Sequence, residues 1–318
     1  MSIGWAIVLF IVGLGLVLFF AEQLVERTVG TAAGFGISAF LISVVFIGFD
    51  PENLAVGAAG SYEQTAGIAL GAIIGSAMVA IALAFGLTAL ITPLQFEHAP
   101  RSILVVPVAA AGLFGALCAD GLLSRGDGFV LLGAYAASVG FLGWKERSGV
   151  RVAPTESVAA IAEDEREEAG RWVLLGGLLV ALVGIVVGSE LLVRASKPLI
   201  AALGLSDTTF GMTILALVVS IEEVARELPA ALKGRPDITF GNVLGSVLAF
   251  FLFNAGIIAL VRPVPVSDTV LQFFLPMGLV TIVFIAAVMF SRRVPRWAGA
   301  VLVLLYLLFV AGGYVPLV

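Results

Sequence analysis

The chain has 318 residues, of which 60% are hydrophobic and only 12% charged, about half the charge of an average soluble domain. That composition excludes a soluble globular protein and indicates an integral membrane protein. The formal charge of −5 carries little weight, because five acids lie in one run, Glu163 to Glu168. One cysteine, Cys118, and one histidine, His98, exclude disulfide frameworks and Cys- or His-rich metal sites and argue against a Ser-His triad.

A membrane-spanning helix needs roughly 20 apolar residues. The apolar runs are continuous rather than alternating, which excludes a β-barrel. In chain order the predicted segments are 3–21, 34–60, 66–91, 102–119, 127–144, 171–195, 206–232, 238–261, 269–290 and 297–315, about ten helices of spanning length. The first has no basic flank and no clear cleavage site, and reads as a retained helix rather than a signal peptide. Trp5, Trp144, Trp172 and Trp297 fall near segment ends, as interfacial anchors do.

Between the fifth and sixth segments lies the one long polar stretch, carrying Pro154 and the acidic run EDEREE. It reads as a solvated linker and divides the chain into a first five-helix half (1–145), a linker (146–170) and a second five-helix half (171–318). Of the 17 Lys and Arg, 12 lie in loops after odd-numbered segments and 4 after even-numbered ones. Basic loops stay inside, so the linker is expected in the cytoplasm and both termini outside. Five segments per half is an odd number, so the halves insert with opposite topology.

The halves also match in sequence. Ala21-Glu22-Gln23-Leu24-Val25 parallels Ser189-Glu190-Leu191-Leu192-Val193, and Gly36-Ile37-Ser38 parallels Gly204-Leu205-Ser206. The run Gly71 to Ser76 parallels Gly241 to Ser246, with Pro51-Glu52 and Glu222-Glu223 lying between these motifs. The expected fold is an all-α membrane protein of two inverted five-helix repeats. Inverted repeats with interrupted helices and polar groups at the midplane mark secondary transporters.

Carboxylates at bilayer depth are functional candidates by default. Glu52 is flanked by Gly48 and Pro51, and proline removes a helix hydrogen bond, freeing backbone carbonyls as hard ligands. Glu223 and Glu227 are four residues apart on one helix face. Two carboxylates that close cannot both stay ionised without a cation between them, a means of exchanging a metal ion for protons. Glu222 and Arg226 are similarly spaced, in the better order for an ion pair. Ca2+ prefers six to eight oxygens; Glu52, Glu223, Asn242, Ser220 and Ser43, with backbone carbonyls, could supply much of that set. Asp50 is a further carboxylate candidate. Ser76 and Ser246 follow Gly71/Gly75 and Gly241/Gly245, small-residue pairs that let helices approach closely, so each serine is either a ligand or a packing residue. Asn53 and Asn254 read first as interhelical hydrogen-bonding groups, with an ion-facing role as the alternative.

These residues resemble the cation/Ca2+ antiporter superfamily, which includes Na+/Ca2+ and H+/Ca2+ exchangers. The likeness covers nearly the whole chain. It is closest in the second half, at Gly204-Leu205-Ser206-Asp207, Gly211-x-Thr213-x-x-Ala216, Ser220-x-x-Glu223 and the Gly-Asn-x-x-Gly-Ser run at 241–246. In the first half, Gly48-Phe49-Asp50-Pro51-Glu52 stands where the family has a Gly-Thr-Ser-x-Pro-Glu hinge. The resemblance implies ten helices and one acidic residue per repeat meeting at a central cation site, here Glu52 and Glu223. It also implies alternating access by sliding of the first and sixth segments past an eight-helix core. The chain departs from the family pattern at Ala72, which replaces a polar residue, at Glu222 in place of the hinge proline, at Glu227 in place of a serine, and at Arg226.

The implied function is a multi-pass cell-membrane antiporter, not an enzyme, exchanging Ca2+ or a related cation for Na+. The ions are cargo and no cofactor is expected; the partners are the lipid bilayer and cations, not nucleic acid. Two alternatives stand beside it. Added carboxylates favour H+ as the coupling ion, whereas Ser220 and Asp207 favour Na+. Ala72 and Arg226 motivate a relative that binds cations without exchanging them.

Overall fold

The computed structural model describes residues 2–34, 50–96, 101–147, 171–233 and 236–315. The helices are α1 Ile3–Gly34, α2 Pro51–Tyr62, α3 Ala66–Ile91, α4 Val105–Cys118, α5 Arg125–Arg147 and α6 Arg171–Leu203. They continue as α7 (207–219), α8 Glu222–Leu232, α9 (236–261), α10 Val270–Phe290 and α11 Arg296–Gly312. Among the described residues, seven helices are long and apolar enough to cross a membrane, and α4 and α11 are shorter apolar helices. The expected segment 34–60 is described only from Asp50 onward, and the acidic linker lies outside the described residues.

Local sequence explains the boundaries near the centre of the molecule. Gly204 adopts φ +67 and stops α6, a conformation only glycine enters cheaply. Ser206 then caps α7, its Oγ accepting from the Thr209 amide at 3.0 Å. Asp207 reaches across to α3, its carboxylate accepting from the Gly67 amide at 3.0 Å. The Gly-Leu-Ser-Asp motif is therefore a joint that ends one helix, starts a second and caps a third.

Among the described residues, four two-residue strands were not anticipated by the all-helical expectation. Leu94–Gln95 (β1) pairs antiparallel with Arg293–Val294 (β4), and Leu122–Leu123 (β2) with Val264–Pro265 (β3). Two residues are too few to leave a periodic trace in the sequence.

α3 lies at the centre and is buried over almost its whole length from Gly67 to Ala89. It crosses α7 where glycines leave no room for side chains: a Cβ on Gly71 would stand 2.3 Å from the Gly211 backbone, and one on Gly211 would stand 2.2 Å from the Gly67 carbonyl oxygen. Both helices widen at this crossing into π turns, Gly71–Gly75 and Phe210–Leu215. Gly71 and Gly75 thus let the helices approach closely, as such small-residue pairs are expected to. α9 occupies the matching place on the other side, and α4, α5, α10 and α11 surround both.

α1 and α6, of 32 and 33 residues, pack chiefly on each other, with Gly13 against the Leu192 and Gly188 backbone. Their outer faces expose Trp5, Ile11, Phe19, Leu179 and Val183, the apolar surface a bilayer covers. Among the described residues, two ion pairs to Glu63 tie α6 to the turn after α2. Lys197 Nζ donates to Glu63 Oε2 at 2.7 Å and Arg194 Nε to Glu63 Oε1 at 3.2 Å. The hydrogen bond from Lys197 holds the Glu63 carboxyl below its ordinary value. Trp5, Trp144 and Trp297 are exposed as expected of anchors; the Trp172 side chain lies outside the described residues.

Candidate functional site: two helix starts that face each other

Two short helices begin inside the protein. Asp50 (φ −102, ψ 88) precedes α2, whose first residue is Pro51. Proline is suited to that place, because the first amide of a helix has no partner to lose. Pro51 therefore opens a described helix rather than kinking one. In the second half the break falls at Ser220 (φ −105, ψ 13), and α8 begins at Glu222. Glu52 and Glu223 occupy the same place, the second residue of their helices. A carboxylate there meets the positive end of the helix dipole. Each is only 1% exposed.

The two starts are joined by one amide. Asn53 Nδ2 donates to Ser220 Oγ at 3.0 Å, and Ser76 Oγ of α3 donates to Asn53 Oδ1 at 2.6 Å. Ser220 and Ser76, both expected near the site, are thus drawn together by Asn53, which is an interhelical hydrogen-bonding group as its sequence suggested.

Around this bridge the carboxylates form two groups. Asp50, Glu52 and Glu222 bring one oxygen each within 4.8 Å of one another. Ionised carboxylates at that spacing repel by about 3 kcal/mol per pair at an effective dielectric of ~20, which makes the group attractive to a cation. Glu222 was expected to pair with Arg226; the Arg226 side chain lies outside the described residues, and Glu222 stands with the first-half acids. Sequence reasoning left Glu222 out of the ligand set, because its partner across the fold is 170 residues away along the chain.

The second group is Glu223, Glu227 and Asn242. The Asn242 Nδ2 donates to Glu223 Oε2 at 2.7 Å and to Glu227 Oε1 at 2.9 Å. One amide nitrogen therefore holds both carboxylates of the α8 face, and the expected pairing of Glu223 with Glu227 is realised. The other Glu227 oxygen, Oε2, is buried and without a hydrogen-bond partner among the described residues. Ala72, which matches Asn242 in the first half, lies against Gly57 and offers α2 no polar group. Ser246 is fully buried and its Oγ has no hydrogen-bond partner among the described residues. Ser43 lies outside the described residues.

Residues 5–144 and 173–315 match the family described as sodium/calcium exchanger protein. The chain belongs to that family. Within the sodium/calcium exchanger family it is similar to the inner membrane protein YrbG of Escherichia coli, at 30% identity over 98% of this chain and 94% of that one. It is 28% identical to an uncharacterized membrane protein of Methanocaldococcus jannaschii over 95% and 96% of the two chains. Shorter matches include the sodium/calcium exchanger MaX1 of Methanosarcina acetivorans, 30% identical over 46% of this chain and 42% of that one, and a Ca2+/H+ antiporter of Synechocystis, 30% identical over 44% and 40%. Among solved structures, the sodium-calcium exchanger NCX_Mj soaked with Na+ and Sr2+ superposes with a TM-score of 0.63 at 25% identity, covering 98% and 99% of the two chains. The protein is accordingly a multi-pass membrane member of the cation/Ca2+ antiporter superfamily.

Proposed function

We propose that the protein is a secondary antiporter that exchanges Ca2+, or a related divalent cation, for Na+ across the cell membrane. The observation that carries this reading is the pair of facing helix starts: Glu52 and Glu223 in their first turns, with Asn53 bonded to Ser220 between them. Glu52, Asp50, Glu223, Glu227, Asn242, Ser220, Ser76 and Ser246 are the proposed ion-facing groups. Carboxylate, amide and hydroxyl oxygens suit hard cations. One site that takes either ion makes the two mutually exclusive, which is what exchange requires. The ions are cargo, and no catalytic role is assigned to any residue.

The architecture we infer is two inverted five-helix repeats making ten helices, divided at the linker. Mirrored contacts support it. Gly86 of α3 abuts Gly299 of α11, while Gly256 of α9 abuts Gly128 of α5. The strand pairs are exchanged in the same way, β1 with β4 and β3 with β2. The long pair α1 and α6, packed mainly on each other, is suited to slide past the remaining helices as access alternates. The bias of basic loops supports a cytoplasmic linker with both termini outside.

A proton-coupled exchanger is the second reading, favoured by Glu223 and Glu227 sharing the Asn242 amide. The deciding experiment is radiolabelled Ca2+ uptake into proteoliposomes under an imposed Na+ or H+ gradient, with Glu52→Gln and Glu223→Gln. Uptake driven by the Na+ gradient and lost in both variants is the expected result. Uptake driven only by H+ selects the second reading. Ca2+ binding without flux under either gradient would leave a cation-binding protein that does not exchange.

A further inference from the structure

We propose that Asn254 supplies a neutral oxygen from α9 to the cation site at the start of α2, beside Asn53 and Ser76. This rests on reading that site as the place where cations are carried. α2 and α9 run parallel in close contact. Ser61 Oγ donates to the carbonyls of Ile258 and Arg262 at 3.2 and 2.8 Å. Gly57 makes room for Ile258, whose Cδ1 lies 2.3 Å from where a glycine Cβ would stand. One turn earlier on each helix, Asn254 comes level with Asn53.

The helical register sets which way Asn254 faces. Gly256 abuts the Gly128 carbonyl oxygen and Leu132 of α5, and the Phe253 ring meets Tyr135 of α5 at 5.1 Å between centroids. At 3.6 residues per turn, Asn254 shares its face with Ile258 and lies nearly opposite Gly256. It is turned from α5 toward α2 and α3. At that level α3 contributes Ser76, already bonded to Asn53, so Asn254 closes a polar ring at the junction of the two helix starts.

The amide is fully buried, and neither its Oδ1 nor its Nδ2 has a hydrogen-bond partner among the described residues. Buried polar groups are nearly always satisfied, and one left unmade costs its full desolvation. An oxygen aimed at a site rich in carboxylates is satisfied when a cation enters. The π-helical stretch Ala249–Asn254 ends on this residue; such widened turns are frequent at functional sites, and this one sets the angle at which the amide leaves the helix.

The test compares wild type, Asn254→Leu, Asn254→Asp and Glu52→Gln in detergent, following the thermal unfolding midpoint as Ca2+ is added. A group that waits for an ion is a burden without it. Asn254→Leu should therefore unfold at the wild-type temperature or higher in the absence of ions, yet need about tenfold more Ca2+ for half its stabilisation, as expected for the loss of one ligand. Asn254→Asp keeps the oxygen and adds charge, and should need less Ca2+ than wild type; it answers the question if the leucine variant fails to fold. Wild-type Ca2+ dependence in both variants, with Glu52→Gln unresponsive, overturns the role of Asn254 alone. A wild-type midpoint that no Ca2+ concentration moves overturns the cation site and this inference with it.

Discussion

Gly71→Ala places a single methyl where α3 crosses α7. The added Cβ would stand 2.3 Å from both the carbonyl carbon and the oxygen of Gly211. Non-bonded carbon atoms settle at roughly 3.5 Å or more, so the helices must part by about 1 Å. Both atoms are backbone, and no side-chain rotation can relieve the contact. Ser76 follows on the same helix and holds Asn53 by a 2.6 Å hydrogen bond. A displacement of about 1 Å takes that bond beyond the 3.0 Å reach of an O–H donor. Overpacking costs about 1–3 kcal/mol, more where the backbone cannot yield, and the lost bond adds about 1 kcal/mol. The expected total is about 2–4 kcal/mol. Gly133→Ala on α5, with nothing within 4 Å of its added methyl, is the control. Thermal unfolding in detergent and gradient-driven Ca2+ uptake read the outcome. If Gly71→Ala unfolds at the temperature of Gly133→Ala and transports as well, the crossing does not set the site's geometry and the reasoning is wrong.

Asn53→Ala removes the bridge between Ser76 and Ser220 and should destabilise the protein by about 2–4 kcal/mol, since two hydroxyls lose a buried partner; unchanged urea or thermal stability would refute the bridge. Asn242→Leu leaves Glu223 and Glu227 without their shared donor. Hydrogen bonds to charged groups are worth about 1.5–3 kcal/mol each, so Ca2+ binding measured by calorimetry should weaken at least tenfold, and a wild-type affinity counts against the second carboxylate group. The Glu63 carboxyl is held below its ordinary value of 4.5 by Lys197. Its contribution is therefore present above pH 4.5 and lost as pH falls through the lower folded value. Arg194 and Lys197 are half-exposed, so the gain is at most about 1 kcal/mol. Glu63→Gln should lower the unfolding midpoint at pH 7 and low salt, and the difference should close on acidification or in high salt.

The pair of acidic helix starts and the Gly-x-x-x-Gly stripes are properties of the chain that hydropathy and local chemistry expose directly. Lipid demands long apolar runs and excludes charge, so each buried acid stands out against its background. Glu52, Glu223 and the Glu223–Glu227 face were legible for that reason. The two-residue strands were not, because no period can be read in so few residues. The grouping of Glu222 with Asp50 and Glu52 was hidden as well, since i,i+4 spacing pointed it toward Arg226 on its own helix. Only the docking of one half against the other brings those three acids together. The same holds for Asn254: its sequence context is apolar throughout, and its place beside Asn53 follows from the parallel contact of α2 with α9. Local chemistry decided which groups resist the bilayer, and the long-range packing of glycine-lined helices decided which of them meet.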